Sequence, residues 1–250
     1  MRLSTSILVV VLLLYATGCA YVKRGSLDVV SPTSGQERVG KVYLVRGWIG
    51  IFSTGMDSLG EKIRKDGIEA EVYQGEQTNE LAEAIIRSYS ASDEREPLVL
   101  IGHSYGADNV LRIARRLEAA NIPVDLLVTF DPVTPPQVPG NIRRLENYFK
   151  PNGAWDNLPW LRGIPLKVEE AKPVTLVNVD LLKDRPDLLE ANTNHFNIEK
   201  NDKLHREVLL RLKTVCPPRE VWAAQRQAER YTQAPASSME PVHLSSVSGE

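Results

Sequence analysis

Gly102-His103-Ser104-Tyr105-Gly106 sets a serine between two glycines, directly after the apolar run Pro97 to Ile101 (PLVLI). A strand that feeds a helix through so tight a turn leaves no room for Cβ atoms at the flanking positions. The helix N-terminus is then aimed at the serine oxygen. Ser104 is therefore a candidate nucleophile, and acyl transfer is the chemistry it could serve. A serine hydroxyl attacks poorly at neutral pH and needs a general base, itself oriented by a third group. The chain has four histidines. His103 lies inside the turn, which points it away from Ser104 and gives it a structural reading. His205 falls in Asp202 to Leu212, a helix with Leu204, Val208 and Leu212 on its apolar face, and is expected to be solvated. His243 lies in a polar tail. His195, in the loop Asn192-Thr193-Asn194-His195-Phe196, is the candidate base.

The elements that must position these groups alternate. Lys41 to Arg46 (KVYLVR), Ile68 to Tyr73, Pro97 to Ile101, Val124 to Phe130 (VDLLVTF) and Pro173 to Val179 (PVTLVNV) read as five strands. Between them, Thr54 to Lys65, Asn79 to Tyr89 and Ala107 to Ala120 carry apolar residues at helical spacing, such as Val110, Leu111, Ala114 and Leu117. Strand and helix in alternation with short connections predict right-handed crossovers and a mainly parallel sheet covered on both faces, the α/β class. Active sites of such sheets lie beyond the carboxyl ends of the strands. Residues 132–163 interrupt the rhythm with six prolines and two tryptophans. A connection of that length is usually functional or disordered, and it reads here as a lid or substrate wall. Glu220 to Tyr231 reads as a further helix, and Thr232 to Glu250 as a disordered polar tail.

The strand, the G-x-S-x-G turn and the following helix resemble the α/β-hydrolase superfamily of lipases, esterases and thioesterases, over roughly Lys41 to Leu212. The chain before Lys41 is too short for the family's leading hairpin, so the resemblance implies a shortened fold of five to six strands. It also implies the chain order serine, acid, histidine, with the base on a loop; His195-Phe196 is similar to the thioesterase-like branches. Two acids fit. Asp131 ends VDLLVTF and Asp180 ends PVTLVNV. Asp131 is favoured, because the family leaves one strand between acid and base and because Phe-Asp-Pro resembles lipases with an early acid. Asp180 stands as the alternative. The oxyanion hole, two backbone N–H donors facing the developing charge, would come from Tyr105 and Trp48. The family often has His-Gly where this chain has Arg46-Gly47, and Arg46 reads as a partner in a structural ion pair. Asp108 is assigned no chemistry.

Arg2, the run Ile7 to Leu14 and the small residues Ala16-Thr17-Gly18 before Cys19 read as a signal peptide, being too short to span a bilayer comfortably. Ala16-Thr17-Gly18-Cys19 resembles the lipobox of bacterial lipoproteins, which implies lipidation of Cys19 as the mature N-terminus. Ala20 then implies outer-membrane sorting facing the periplasm; plain secretion is the alternative. The expected organisation is a signal peptide over 1–18, a linker over 19–40, the hydrolase domain over 41–216 with its insertion at 132–163, and a helix and tail over 217–250. Cys216, the other cysteine, reads as a packed residue.

Charged residues make up 25% of the 250 positions, and 30 Lys and Arg face 32 Asp and Glu. Wholesale disorder is excluded, and there is no basic stripe to argue for nucleic acid. Candidate ligands do not cluster at metal spacing, so no metal or cofactor is expected. The expectation is a serine hydrolase of an ester or thioester, small or lipid-like. A binding protein on the same scaffold and a transacylase are the alternatives.

Overall fold

The computed structural model describes residues 24–47, 53–158, 162–169 and 173–233. The signal-peptide reading, Cys19, Trp48, Trp160 and nearly all of the polar tail lie outside them. Six strands, all parallel, form one sheet: β1 (Lys41–Val45), β2 (Glu69–Tyr73), β3 (Leu98–His103), β4 (Val124–Phe130), β5 (Ile142–Phe149) and β6 (Thr175–Asp180). Their order is β2-β1-β3-β4-β5-β6.

Apolar residues fill both faces because consecutive side chains of a strand point to opposite sides. Val42, Leu44, Val99, Ile101, Leu126 and Val128 face one way, against Met56, Leu59 and Ile63 of α1 (Gly55–Lys65) and Leu204, Val208 and Leu212 of α4 (Asp202–Val215). Tyr43, Val45, Leu98, Leu100 and Leu127 face the other. They meet Leu81, Ile85 and Tyr89 of α2 (Thr78–Ser90) and Val110, Leu111, Ala114 and Leu117 of α3 (Tyr105–Ala119). Cys216 is packed in the first of these cores, and burial pushes its thiol up to about 12. A last helix, α5 (Arg219–Gln233), is docked at its start by Arg219, whose guanidinium meets Glu96 at 2.7 Å and the Ser34 carbonyl at 2.6 Å.

The stretch 132–163 is not one connection, as the sequence suggested. Ile142–Phe149 (IRRLENYF) within it is β5, which carries the count from five strands to six. Its polar residues hid it. Glu146 is buried, yet Arg144 (2.6 Å), Arg211 (2.7 Å) and the Tyr148 hydroxyl (3.0 Å) surround its carboxylate. Asn147 sits in register between Thr129 and Asn178 on the neighbouring strands, and their side chains bond across it at 2.8 Å each. The ladder runs on into the chain beyond β5. Asn147 donates to the Ile164 carbonyl, while Asn178 accepts from Leu166 N–H and donates to its carbonyl.

The first described residues are held at the same end of the sheet as the strand termini. Gln77, just past the C-terminal end of β2, bonds both the N–H and the carbonyl of Gly25, at 3.2 and 2.9 Å. The Tyr73 hydroxyl donates to the Ser26 carbonyl.

Candidate active site

β3 runs into α3 through Ser104, whose φ of 56° and ψ of −125° lie outside the ordinary range for a side-chain-bearing residue. Such backbone is stored at functional turns when the surroundings over-determine it. Here they do. A Cβ on Gly102 would meet the Gly106 carbonyl oxygen at 2.3 Å, and one on Gly106 would meet the Val45 carbonyl oxygen at 2.2 Å. Ser104 N–H is tied to the Phe130 carbonyl on β4. Gly47 presses on the turn from the end of β1, 3.3 Å from Ser104 Cβ by the same measure.

Ser104 Oγ lies 3.0 Å from His195 Nε2. On the far side of the ring, Nδ1 lies 3.3 Å from Asp131 Oδ2, and neither atom has another hydrogen-bond partner among the described residues. Asp131 follows β4 and is fully buried, with a left-handed φ of 45°. Its other carboxylate oxygen accepts the Lys150 N–H at 2.8 Å. Burial raises its pKa, against the opposing pull of His195. A Cβ on Gly163 would stand 2.0 Å from Asp131 Oδ1, so residue 163 lies directly on the carboxylate. The asparagine ladder that fixes residues 164 and 166 thus also positions the cover of the acid.

The loop bearing His195 is bound by its own asparagines. Asn194 N–H donates to Asn197 Oδ1, Phe196 N–H donates to Asn194 Oδ1, and the Asn197 amide donates to the Asn192 carbonyl. These are local side-chain-to-backbone bonds of the kind that fix turns. Phe196 sets its ring edge-on to His195, with centroids 5.6 Å apart, and stays about half exposed.

Of the residues singled out by sequence, Ser104, His195 and Asp131 therefore come together. Asp180 does not join them; its Oδ1 accepts the Leu182 N–H of its own turn. Two strands, β5 and β6, separate Asp131 from His195, not the single strand expected, because the polar sequence of β5 does not read as a strand. Tyr105 is the first residue of α3, at the helix end where backbone N–H groups project outward. Trp48 is outside the described residues. Arg46 is ion-paired with Asp57. Asp108 accepts Val133 N–H, Thr134 N–H and the Thr134 hydroxyl, and so fastens the chain just after Asp131.

His205 is buried rather than solvated, because α4 turns that side toward α1. Its Nδ1 is 2.9 Å from Lys62 Nζ and its Nε2 is 2.7 Å from the Glu199 carbonyl. Three residues near the base escaped sequence reading: Ser53, Gly163 and Glu199. None belongs to a motif, and only the fold brings them in. Glu199 is fully buried 3.9 Å from His103, and neither carboxyl oxygen has a hydrogen-bond partner among the described residues. Burial pushes its pKa up to about 7, against weaker pulls from neighbouring amides and Lys200. Among the described residues, no group of three or more His, Cys, Asp and Glu side chains is arranged to hold a metal ion.

Solved structures similar to the chain include Est1E from Butyrivibrio proteoclasticus, at 10% identity over 72% of this chain and 90% of that one, TM-score 0.42. Another is the esterase domain of a Rhodothermus marinus protein, at 14% identity over 75% and 88%, TM-score 0.41. A third is an α/β serine hydrolase without a lid from Xanthomonas campestris, at 16% identity over 74% and 85%, TM-score 0.42. None of the curated proteins matches the sequence. The profile of the thioesterase domain, however, matches residues 55–231, well over half of the chain. The protein therefore belongs to the thioesterase-domain family and is an α/β hydrolase of the ester- and thioester-cleaving kind.

Proposed function

We propose that the protein hydrolyses an ester or thioester through an acyl-enzyme on Ser104, with His195 as general base and Asp131 as its orienting acid. The observation that carries this reading is the 3.0 Å contact between Ser104 Oγ and His195 Nε2. In the first half-reaction Ser104 Oγ bonds to the carbonyl carbon as its proton passes to His195 Nε2. The tetrahedral oxyanion is received by the N–H groups of Tyr105 and Trp48. On collapse the C–O or C–S bond breaks, and the leaving alcohol or thiol takes the proton from His195. Water then repeats the sequence on the acyl-enzyme, releasing the carboxylic acid and restoring Ser104. Asp131 stabilises the imidazolium formed in each half and fixes the tautomer with hydrogen on Nδ1.

The half-exposed Phe196 ring beside the base supports an apolar group on the substrate. The signal-peptide reading of residues 1–18, with Cys19 as the mature N-terminus, supports an envelope lipoprotein, with lipid-like esters within reach. Metabolic labelling with a radioactive fatty acid should mark the parent and spare Cys19→Ser.

The central test is Ser104→Ala. A fluorophosphonate probe should label the parent and leave this variant unlabelled, and hydrolysis of p-nitrophenyl esters should fall at least about 10³-fold. Equal turnover by parent and variant would refute the assignment of the nucleophile. A parent that takes no label would instead leave the fold serving as a binding scaffold.

A further inference from the structure

His103, next to the nucleophile and buried, is bonded on both ring nitrogens to chain that lies on opposite sides of the site. Nε2 is 2.9 Å from the carbonyl oxygen of His195, and Nδ1 is 2.9 Å from Ser53 Oγ. Ser53 Oγ in turn accepts the Gly47 N–H at 3.0 Å, closing the loop from 47 to 53 at its base. One assignment of hydrogens satisfies all three contacts. Gly47 N–H donates to Ser53 Oγ, the Ser53 hydroxyl donates to Nδ1, and Nε2–H donates to the His195 carbonyl. That assignment needs a neutral ring. Burial supplies it, pushing the His103 pKa down to about 3.

We propose that His103 is a positioning residue that straps the base loop to Ser53 and Gly47, just after β1, so that His195 keeps its place against Ser104. This rests on the hydrolase reading for its catalytic consequence, and on bonds alone for the strap. A misplacement of the base by about 1 Å costs on the order of 10²-fold in rate. The link runs from Gly47 through Ser53 and His103 to His195, and removing the His103 ring takes away both the bond to the His195 carbonyl and the acceptor that fixes the Ser53 hydroxyl.

The test uses the full chain and four variants: His103→Ala, His103→Gln, Ser53→Ala and the double variant Ser53→Ala/His103→Ala. Amide exchange is followed by NMR at Gly47 and at Asn194, Phe196, Asn197 and Ile198, beside kcat and KM for a p-nitrophenyl ester. His103→Ala should speed exchange at both loops by more than about 10-fold and lower kcat about 10- to 100-fold, with KM within two-fold. In His103→Gln the amide nitrogen can take the place of Nε2. The base loop should stay protected, Gly47 should exchange fast, and much of kcat should return. Ser53→Ala should loosen Gly47 alone, and adding it to His103→Ala should lower kcat no further.

The strap is overturned if His103→Ala leaves exchange unchanged at either loop, if His103→Gln behaves as His103→Ala does, or if the two substitutions multiply their effects on kcat. Should His103→Ala fail to fold, the Gln and Ser53 variants still decide it by the same readings. A parent with no ester hydrolysis would sink the hydrolase reading and leave the exchange results to judge the strap.

Discussion

At Ser104 and Asp131 the backbone enters left-handed φ at the ends of adjacent strands, a conformation that costs on the order of 1–3 kcal/mol at each side-chain-bearing residue. Both are held there by bonds to a neighbouring strand, Ser104 N–H to Phe130 and Asp131 N–H to Tyr148. Asp131→Asn should preserve the fold and lower kcat by about 10³- to 10⁴-fold, because an amide favours the wrong imidazole tautomer. Asp180→Asn should stay within two-fold, and steady-state kinetics on the two variants settles which acid serves. Gly163→Ala places a methyl where the Asp131 carboxylate now lies, and should cost about 1–3 kcal/mol in urea unfolding and most of the activity. Of these residues, Ser104 and His195 were legible in the sequence: one sits in a spaced motif, and the other histidines fall in unsuitable places. Gly163 was not, because its role is a close approach to a residue thirty-two positions away, and no local pattern records that.

Among the elements, the helices and the apolar strands were legible from periodicity, since Val42, Leu44, Tyr43 and Val45 split cleanly between the two cores. β5 was not. A strand with Arg143, Arg144, Glu146 and Asn147 has neither alternation nor an apolar run, and its buried carboxylate is tolerated only because two arginines and a tyrosine reach it. Glu146→Ala leaves those partners facing a buried gap. The arginines are partly exposed, so water relieves part of the loss, and the expected cost is about 2 kcal/mol by urea denaturation. The same misreading explains the strand count between acid and base. The crossover after β4 carries no helix to announce that another parallel strand follows.

For the molecule as a whole, two buried groups pull stability in opposite directions with pH. Glu199 has its folded pKa raised from 4.5 to about 7, so its contribution is full below pH 4.5 and is lost as pH rises through 7, about 3 kcal/mol at most. His103 has its folded pKa lowered from 6.5 to about 3, so its contribution is full above pH 6.5 and is lost as pH falls toward 3. Between pH 4.5 and 6.5 the slopes of these two groups oppose each other. Glu199→Gln removes one slope: unfolding free energy should then rise across that window and no longer decline from pH 6.5 to 7. A variant whose profile matches the parent's would contradict the burial argument.

Gln77 clamps Gly25 at the rim where β2 ends, the rim that Ser104 shares. Only five peptide units separate Arg24 from Cys19, a reach of roughly 17 Å at full extension. A lipid anchor on that cysteine, as proposed, would tether the rim where β2 ends within that distance of the bilayer surface.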